Sequence, residues 1–282
     1  MISVRARAET RVRPVHGVNA MRRVLVGILL LGLSGLAAVG VGAPAHGVVT
    51  NAVCDELNGH EINGDVSGNV TVPANGVCHI HGWTIGGNIS VGNNAKLFTR
   101  DGTVIDGKVQ ATSPAQVNIE DHTHILGSFI AEGPGTAFGG FICGSTIDGS
   151  VIVENFTTAA PGWVIGQPTS PPPDGYVYNG GGVNDPDLTC ESPNIIHGTV
   201  VLSANSIARL KLAANTIGNP QASSVTISSN KVVNESVKVE GNTIAGSLNC
   251  SGNSWLGGSP AVTNEGLPNS VSGTRNGQCA GL

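Results

Sequence analysis

The chain has 282 residues, with 14 Lys and Arg against 19 Asp and Glu, 41 Gly, 6 Cys and few aromatic residues. Its first 45 residues hold six of the arginines and Glu9, so the remainder keeps 8 basic and 18 acidic residues and a net charge near −10. That balance excludes DNA, RNA and anionic membrane surfaces as partners, because all of them favour basic patches.

From the start of the chain, Arg22 and Arg23 precede an apolar run over 24–41, and Ala43-Pro44-Ala45 supplies small residues for cleavage. This is the layout of a secretory signal peptide. The short apolar core and clean exit predict cleavage, with no membrane span in the mature chain. Met21 is itself a plausible start, and paired arginines alone do not specify twin-arginine export. Residues 46–282 suit one elongated domain, expected to be secreted or extracellular. All six cysteines lie in this part, as for a disulfide framework formed in an oxidising compartment. No C-x-x-C pair exists, which argues against a zinc knuckle or a thioredoxin-like motif.

A seven-residue phrase, aliphatic-x-Gly-x-apolar-x-small/apolar, then recurs at 66–72, 85–91, 105–111, 125–131, 147–153, 196–202 and 244–250. Its centres are Val70, Ile89, Val109, Phe129, Val151, Val200 and Leu248, separated by 19, 20, 20, 22, 49 and 48 residues. Alternation at period two makes each phrase a strand with one buried face, and a period near twenty stacks the strands as coils of a solenoid. The last two gaps are each expected to hold two periods. Gly68, Gly87, Gly107, Gly127, Gly149, Gly198 and Gly246 stand two residues before the centres, where a missing side chain permits a bend or a close backbone approach. Asn75, Asn94, Pro114, Pro134, Asn205 and Asn253 stand five residues after them, with Phe156 the exception, and mark a corner.

Such a chain resembles right-handed parallel β-helix proteins, in which coils of roughly twenty residues stack at about 4.8 Å. A left-handed β-helix should show a period near eighteen. The expectation is an all-β right-handed solenoid of about nine coils, a rod roughly 40–45 Å long on that spacing, with one long loop excursion. The ending, Gly241-Asn242-Thr243-Ile244-Ala245-Gly246-Ser247-Leu248-Asn249-Cys250-Ser251-Gly252-Asn253 followed by Gly277-Gln278-Cys279-Ala280-Gly281-Leu282, is similar to the close of secreted bacterial β-helix proteins of unassigned activity. That resemblance implies a location and a fold, and it brings no catalytic residue or cofactor with it.

Six cysteines allow fifteen pairings, and the repeat narrows them. Cys143 and Cys190 fall eight and ten residues before the centres of consecutive aligned phrases, so stacking could bring them close. Cys54 with Cys78 and Cys250 with Cys279 would then staple the two ends. The excursion over 159–189 contains Pro171-Pro172-Pro173 and Gly180-Gly181-Gly182 and carries Trp163, Tyr176 and Tyr178. Long ordered loops on rigid scaffolds often carry function.

Three sets of residues are candidates for chemistry. Asp185, Asp187, His197-Gly198 and Arg209-Leu210-Lys211 match the residue types of pectin-degrading glycosidases, but their separations of ten and twelve residues do not fit stacking at twenty. His81, Asp101 and Asp121 lie eight residues before three successive centres, with His79, Glu120, His122 and His124 nearby. They read either as a divalent-metal or acid/base site or as a solvated polar ladder. Trp163, Tyr176 and Tyr178, with Asp174, read either as a platform for sugar rings or as a local mini-core.

Five matches to the glycosylation pattern, beginning at Asn69, Asn88, Asn155, Asn234 and Asn249, lie mostly inside the repeated strand and need no further reading. The position after each centre is too mixed for an ice-binding threonine column. The sequence therefore predicts an interaction or structural module, with an extracellular glycan or cell-wall polymer as its partner and no cofactor. A carbohydrate-active lyase or hydrolase centred on His81, Asp101 and Asp121 is the alternative.

Overall fold

Each phrase centre rests on the next. In the computed structural model, which describes residues 50–54, 60–134, 139–157, 162–166, 192–218 and 224–282, Val70 pairs with Ile89, Ile89 with Val109, Val109 with Phe129, Phe129 with Val151 and Val151 with Val200. All are fully buried. Residues between them point outward, as the period-two alternation requires.

A representative turn runs through Ile89–Val91, a corner, Lys96–Arg100, a second corner and Val104–Ile105 before the glycine bend returns it to the start. Repetition of this path builds three parallel sheets, here called first, second and third, of ten, nine and eight strands among the described residues. A fourth sheet of three strands, Ser206–Ile207, Lys231–Val232 and Ser254–Trp255, occupies the corner after the first sheet in the later turns. The inward residues form one continuous apolar column. The protein is a parallel β-solenoid.

The repeat glycines serve the close approach. Gly107 N–H donates to Gly87 O, Gly127 N–H to Gly107 O, and Gly149 N–H to Gly127 O, at 2.9–3.1 Å. A Cβ at Gly127 would lie 2.6 Å from Gly107 O, so a side chain there would force the turns apart.

The expected corner column splits into two roles. Asn75 and Asn94 adopt positive φ of 63° and 54°, which asparagine tolerates. Asn205 and Asn253 are instead buried, and their neighbours Ala204 and Gly252 take the left-handed turn. Counted along the third sheet, eight strands mark about seven complete turns, slightly short of the nine expected. The 48-residue gap does hold two turns, through Val225. The 49-residue gap holds one, because Val151 pairs directly with Val200.

That single turn includes Trp163–Gly166, paired with Gly139–Ile142 below and Leu210–Ala213 above. Trp163 is thus a strand residue inside the coil, 0 % exposed, with edge-to-face contacts to Phe129 at 5.8 Å and Phe156 at 5.4 Å. Its ring fills the space left by Gly140 in the preceding turn, where a Cβ would strike the indole. Buried this way, it is withdrawn from any sugar-stacking surface.

Both ends are cross-linked as expected. Cys54–Cys78 and Cys250–Cys279 have Cα separations of 5.5 and 5.2 Å, within the usual span. Cys143 is also disulfide-bonded, and its expected partner Cys190 lies outside the described residues.

Candidate functional site

The outer face of the second sheet is closed in its middle: Asn118, Phe141 and Val164, stacked in register, are each at most 3 % exposed. Toward the N-terminal end its outward side chains are partly exposed. There Val77–His81 lies in register on Lys96–Arg100, with Cys78 and Ile80 turned inward and His79 and His81 turned out. The pairing places His79 on Phe98, with rings stacked at 4.7 Å and 12°, and His81 on Arg100. His79 and His81 meet edge to face at 5.9 Å.

Arg100 Nε–H points at His81 Nδ1 over 3.4 Å and lies 3.6 Å from Asp101 Oδ2, which is itself 3.8 Å from His81 Nδ1. Burial lowers the His81 pKa below its ordinary value, the Arg100 charge adds to this, and Asp101 opposes it. His79 is lowered by burial first, then by His81 and Arg100. Both imidazoles are therefore held neutral near neutral pH. His81 Nε2 and the nearby His60 Nδ1 are buried without a hydrogen-bond partner.

The expected column of His81, Asp101 and Asp121 is brought together only in part. The step from Val77 to Lys96 is nineteen residues and the step from Lys96 to Gln116 is twenty, so counting back from the centres slips by one position. Arg100, not Asp101, stacks on His81. Asp101 and Asp121 occupy the corner with φ of 58° and 45°. A guanidinium facing the imidazole does not suit a divalent cation, and among the described residues no three His, Cys, Asp or Glu side chains are arranged to hold one.

Sequence reasoning missed Trp83. It follows Gly82 at the same corner and is 36 % exposed, whereas Thr103 and Thr123, twenty and forty positions on, are fully buried. An indole at the head of a column that continues with Thr103, Thr123 and Ser145 and then with asparagines was the available signal.

The other candidate sets fare differently. His197 lies on the third sheet, where His197 Nδ1 is 2.9 Å from Asp148 Oδ1 and His124 Nε2 is 3.1 Å from Asp148 Oδ2. Both imidazoles donate, since a carboxylate only accepts. Arg209 and Lys211 belong to the second sheet and face Glu235, at 2.6 and 3.7 Å. Arg209 Nε is not directed at the Glu235 oxygen, so that contact is an ion pair without a hydrogen bond there.

Lys238 bridges Glu235 and Glu265 at 2.9 and 2.7 Å. Burial lowers the Lys211 pKa; it also acts to lower that of Lys238, but the hydrogen bonds to Glu265 and Glu235 and the charges of both together raise it. His197 thus faces Asp148 at the third sheet, whereas Arg209 and Lys211 face Glu235 at the second. Asp185 and Asp187 lie outside the described residues, as do Asp174, Tyr176 and Tyr178.

The arrangement at the N-terminal corner offers a half-exposed indole, a stacked ring pair, an arginine and a carboxylate within one small surface. Among the described residues no helix is long and apolar enough to cross a membrane. Comparison with protein-family models, with curated proteins and with solved structures gave no match, so the fold and this geometry carry the functional reading.

Proposed function

We propose that the chain is an exported interaction module, a rigid rod whose corner around Trp83, His79, His81, Phe98, Arg100 and Asp101 contacts an extracellular glycan or cell-wall polymer. The observation that carries this reading is the exposure of Trp83 beside the paired Arg100 and Asp101, on an end tied by Cys54–Cys78. An indole face covers the apolar side of a sugar ring while charged neighbours bind its hydroxyls. The leader-like first 45 residues and the disulfides support an extracellular location. Asp174, Tyr176 and Tyr178 remain proposed contributors.

Pull-down with cell-wall material and glycan arrays test the proposal. Trp83→Ala should abolish retention while leaving the fold intact. Retention unaffected by that change would overturn the corner as the contact surface. An enzyme on this scaffold is the second reading, favoured by the approach of His81 to Asp101. Polysaccharide turnover lost in His81→Ala would establish it.

A further inference from the structure

The outer face of the first sheet carries a groove that none of the candidate residues touches. It encloses about 380 Å³, and its floor includes Thr71, Ser90, Gln110 and Thr112 with Pro73 and Gly92. Thr71, Ser90 and Gln110 stack in register on three successive turns. Some outward hydroxyls and amides of the rod pair with one another, as in Ser150 with Thr199, Ser247 with Thr274 and Asn75 with Asn94. Others, such as Thr216, Thr226 and Thr243, face solvent, and the four polar side chains that cluster in the groove, Thr71, Ser90, Gln110 and Thr112, are of this second kind among the described residues.

Beyond the groove the same two columns change character. Gln110 is followed by Ile130, Ile152 and Val201, all half-buried, and Thr112 by Glu132, Glu154 and Ser203. Glu154 accepts a hydrogen bond from Ser203 Oγ at 3.2 Å. A chain laid along the rod axis from Thr71 to Val201 would cross five turn spacings, about 24 Å at the separation of neighbouring strands. It would meet uncommitted donors and acceptors first, then an aliphatic floor flanked by carboxylates. No cation lines the groove.

We infer that this face binds a neutral, polyhydroxylated polymer, a linear glycan without carboxylates or phosphates, lying parallel to the rod. Hydroxyls of the polymer replace water at Thr71, Ser90, Gln110 and Thr112, while apolar ring faces cover Ile130 and Ile152. Glu132 and Glu154 repel an acidic chain, consistent with a mature net charge near −10. The inference rests on the reading of the protein as a glycan-binding module and names the class of glycan and a second surface for it.

Affinity electrophoresis of the full chain with soluble β-glucan and with polygalacturonate tests it. The β-glucan should retard the protein and polygalacturonate should not. Ser90→Tyr, which fills the groove from an exposed position, should weaken β-glucan binding at least tenfold. Glu132→Lys with Glu154→Lys should let polygalacturonate bind. Unchanged β-glucan binding in Ser90→Tyr, or tighter binding of polygalacturonate by the unaltered chain, overturns the groove. If Trp83→Ala abolishes that binding, the module reading survives without it. Failure of every glycan to bind overturns both.

Discussion

The two halves of the rod satisfy their corners by different chemistry. In the C-terminal half, buried asparagines form two amide ladders: Asn194, Asn215, Asn242 and Asn269 at one corner, and Asn205, Asn230 and Asn253 closing on Gln278 at the other. Asn230 shows how complete this is. Its N–H and Nδ2 donate to Asn253 Oδ1, Nδ2 also donates to Leu202 O, and its Oδ1 accepts from the N–H and Nδ2 of Asn205, all at 2.9–3.1 Å.

In the N-terminal half the first of these columns holds Thr103, Thr123 and Ser145, whose hydroxyls bond chiefly to carbonyls of their own or the preceding turn. Polar groups are left over there: His60 Nδ1, His81 Nε2 and Gln116 Oε1 are buried without partners, and the groove at Thr71, Ser90 and Gln110 is uncommitted. Along its corner ladders the C-terminal half pairs its amides with one another, although Trp163 Nε1 and Glu235 Oε1 are buried there without a hydrogen bond. The N-terminal corner carries hydroxyls where the later turns carry amides.

The largest effect is expected where the halves meet. Trp163→Ala removes the indole between Phe129 and Phe156 and empties the space beside Gly140, so stability should fall by about 3–5 kcal/mol in urea denaturation. A loss under 1 kcal/mol would mean that the indole is not the plug joining the two regions. Next, Asn230→Ala breaks the amide ladder and strands buried carbonyl and N–H groups, for about 1–3 kcal/mol. Thr123→Ala, at a hydroxyl-bearing position of the other corner column, should lose about 1 kcal/mol or less. Equal losses would erase the distinction.

The pH dependence belongs to the N-terminal end. His79 and His81 have lowered pKa values in the folded chain, so the unfolded chain binds more protons as pH falls below its histidine range. Their contribution is therefore full above about pH 6.5 and is lost as pH falls through the lowered values. Replacing both with Asn should flatten the acid side of the stability profile. An unchanged profile would assign acid sensitivity elsewhere. Smallest of all, Trp83→Ala should change stability by less than about 0.5 kcal/mol, since exposed positions carry little packing.

Much of the fold could be read from the repeat because its constraint is strict: an inward residue every turn and a glycine wherever two backbones touch. What escaped had local physical causes. Residues 151–200 imitate two coils by their length, yet Val151 pairs directly with Val200 and Trp163–Gly166 is a strand of that single turn, which is why Trp163 was misplaced on a surface loop. The turn through Val225 carries no aliphatic-x-Gly phrase. His124, Asp148 and His197 meet across 24- and 49-residue separations that no fixed period predicts. The site slipped by one position where a nineteen-residue turn meets a twenty-residue one, so Arg100 took the place expected for Asp101.

Amide hydrogen exchange of the free chain tests the contrast between the halves most directly. The N–H groups of Asn215 and Asn242 donate to the side-chain oxygen of the next rung at 3.0–3.1 Å, whereas those of Thr103 and Thr123 make longer bonds of 3.2–3.3 Å within their own turn. The amides of Asn205, Asn215, Asn230 and Asn242 should exchange at least tenfold more slowly than those of Thr103 and Thr123. Equal rates at the two sets of corners would contradict the account.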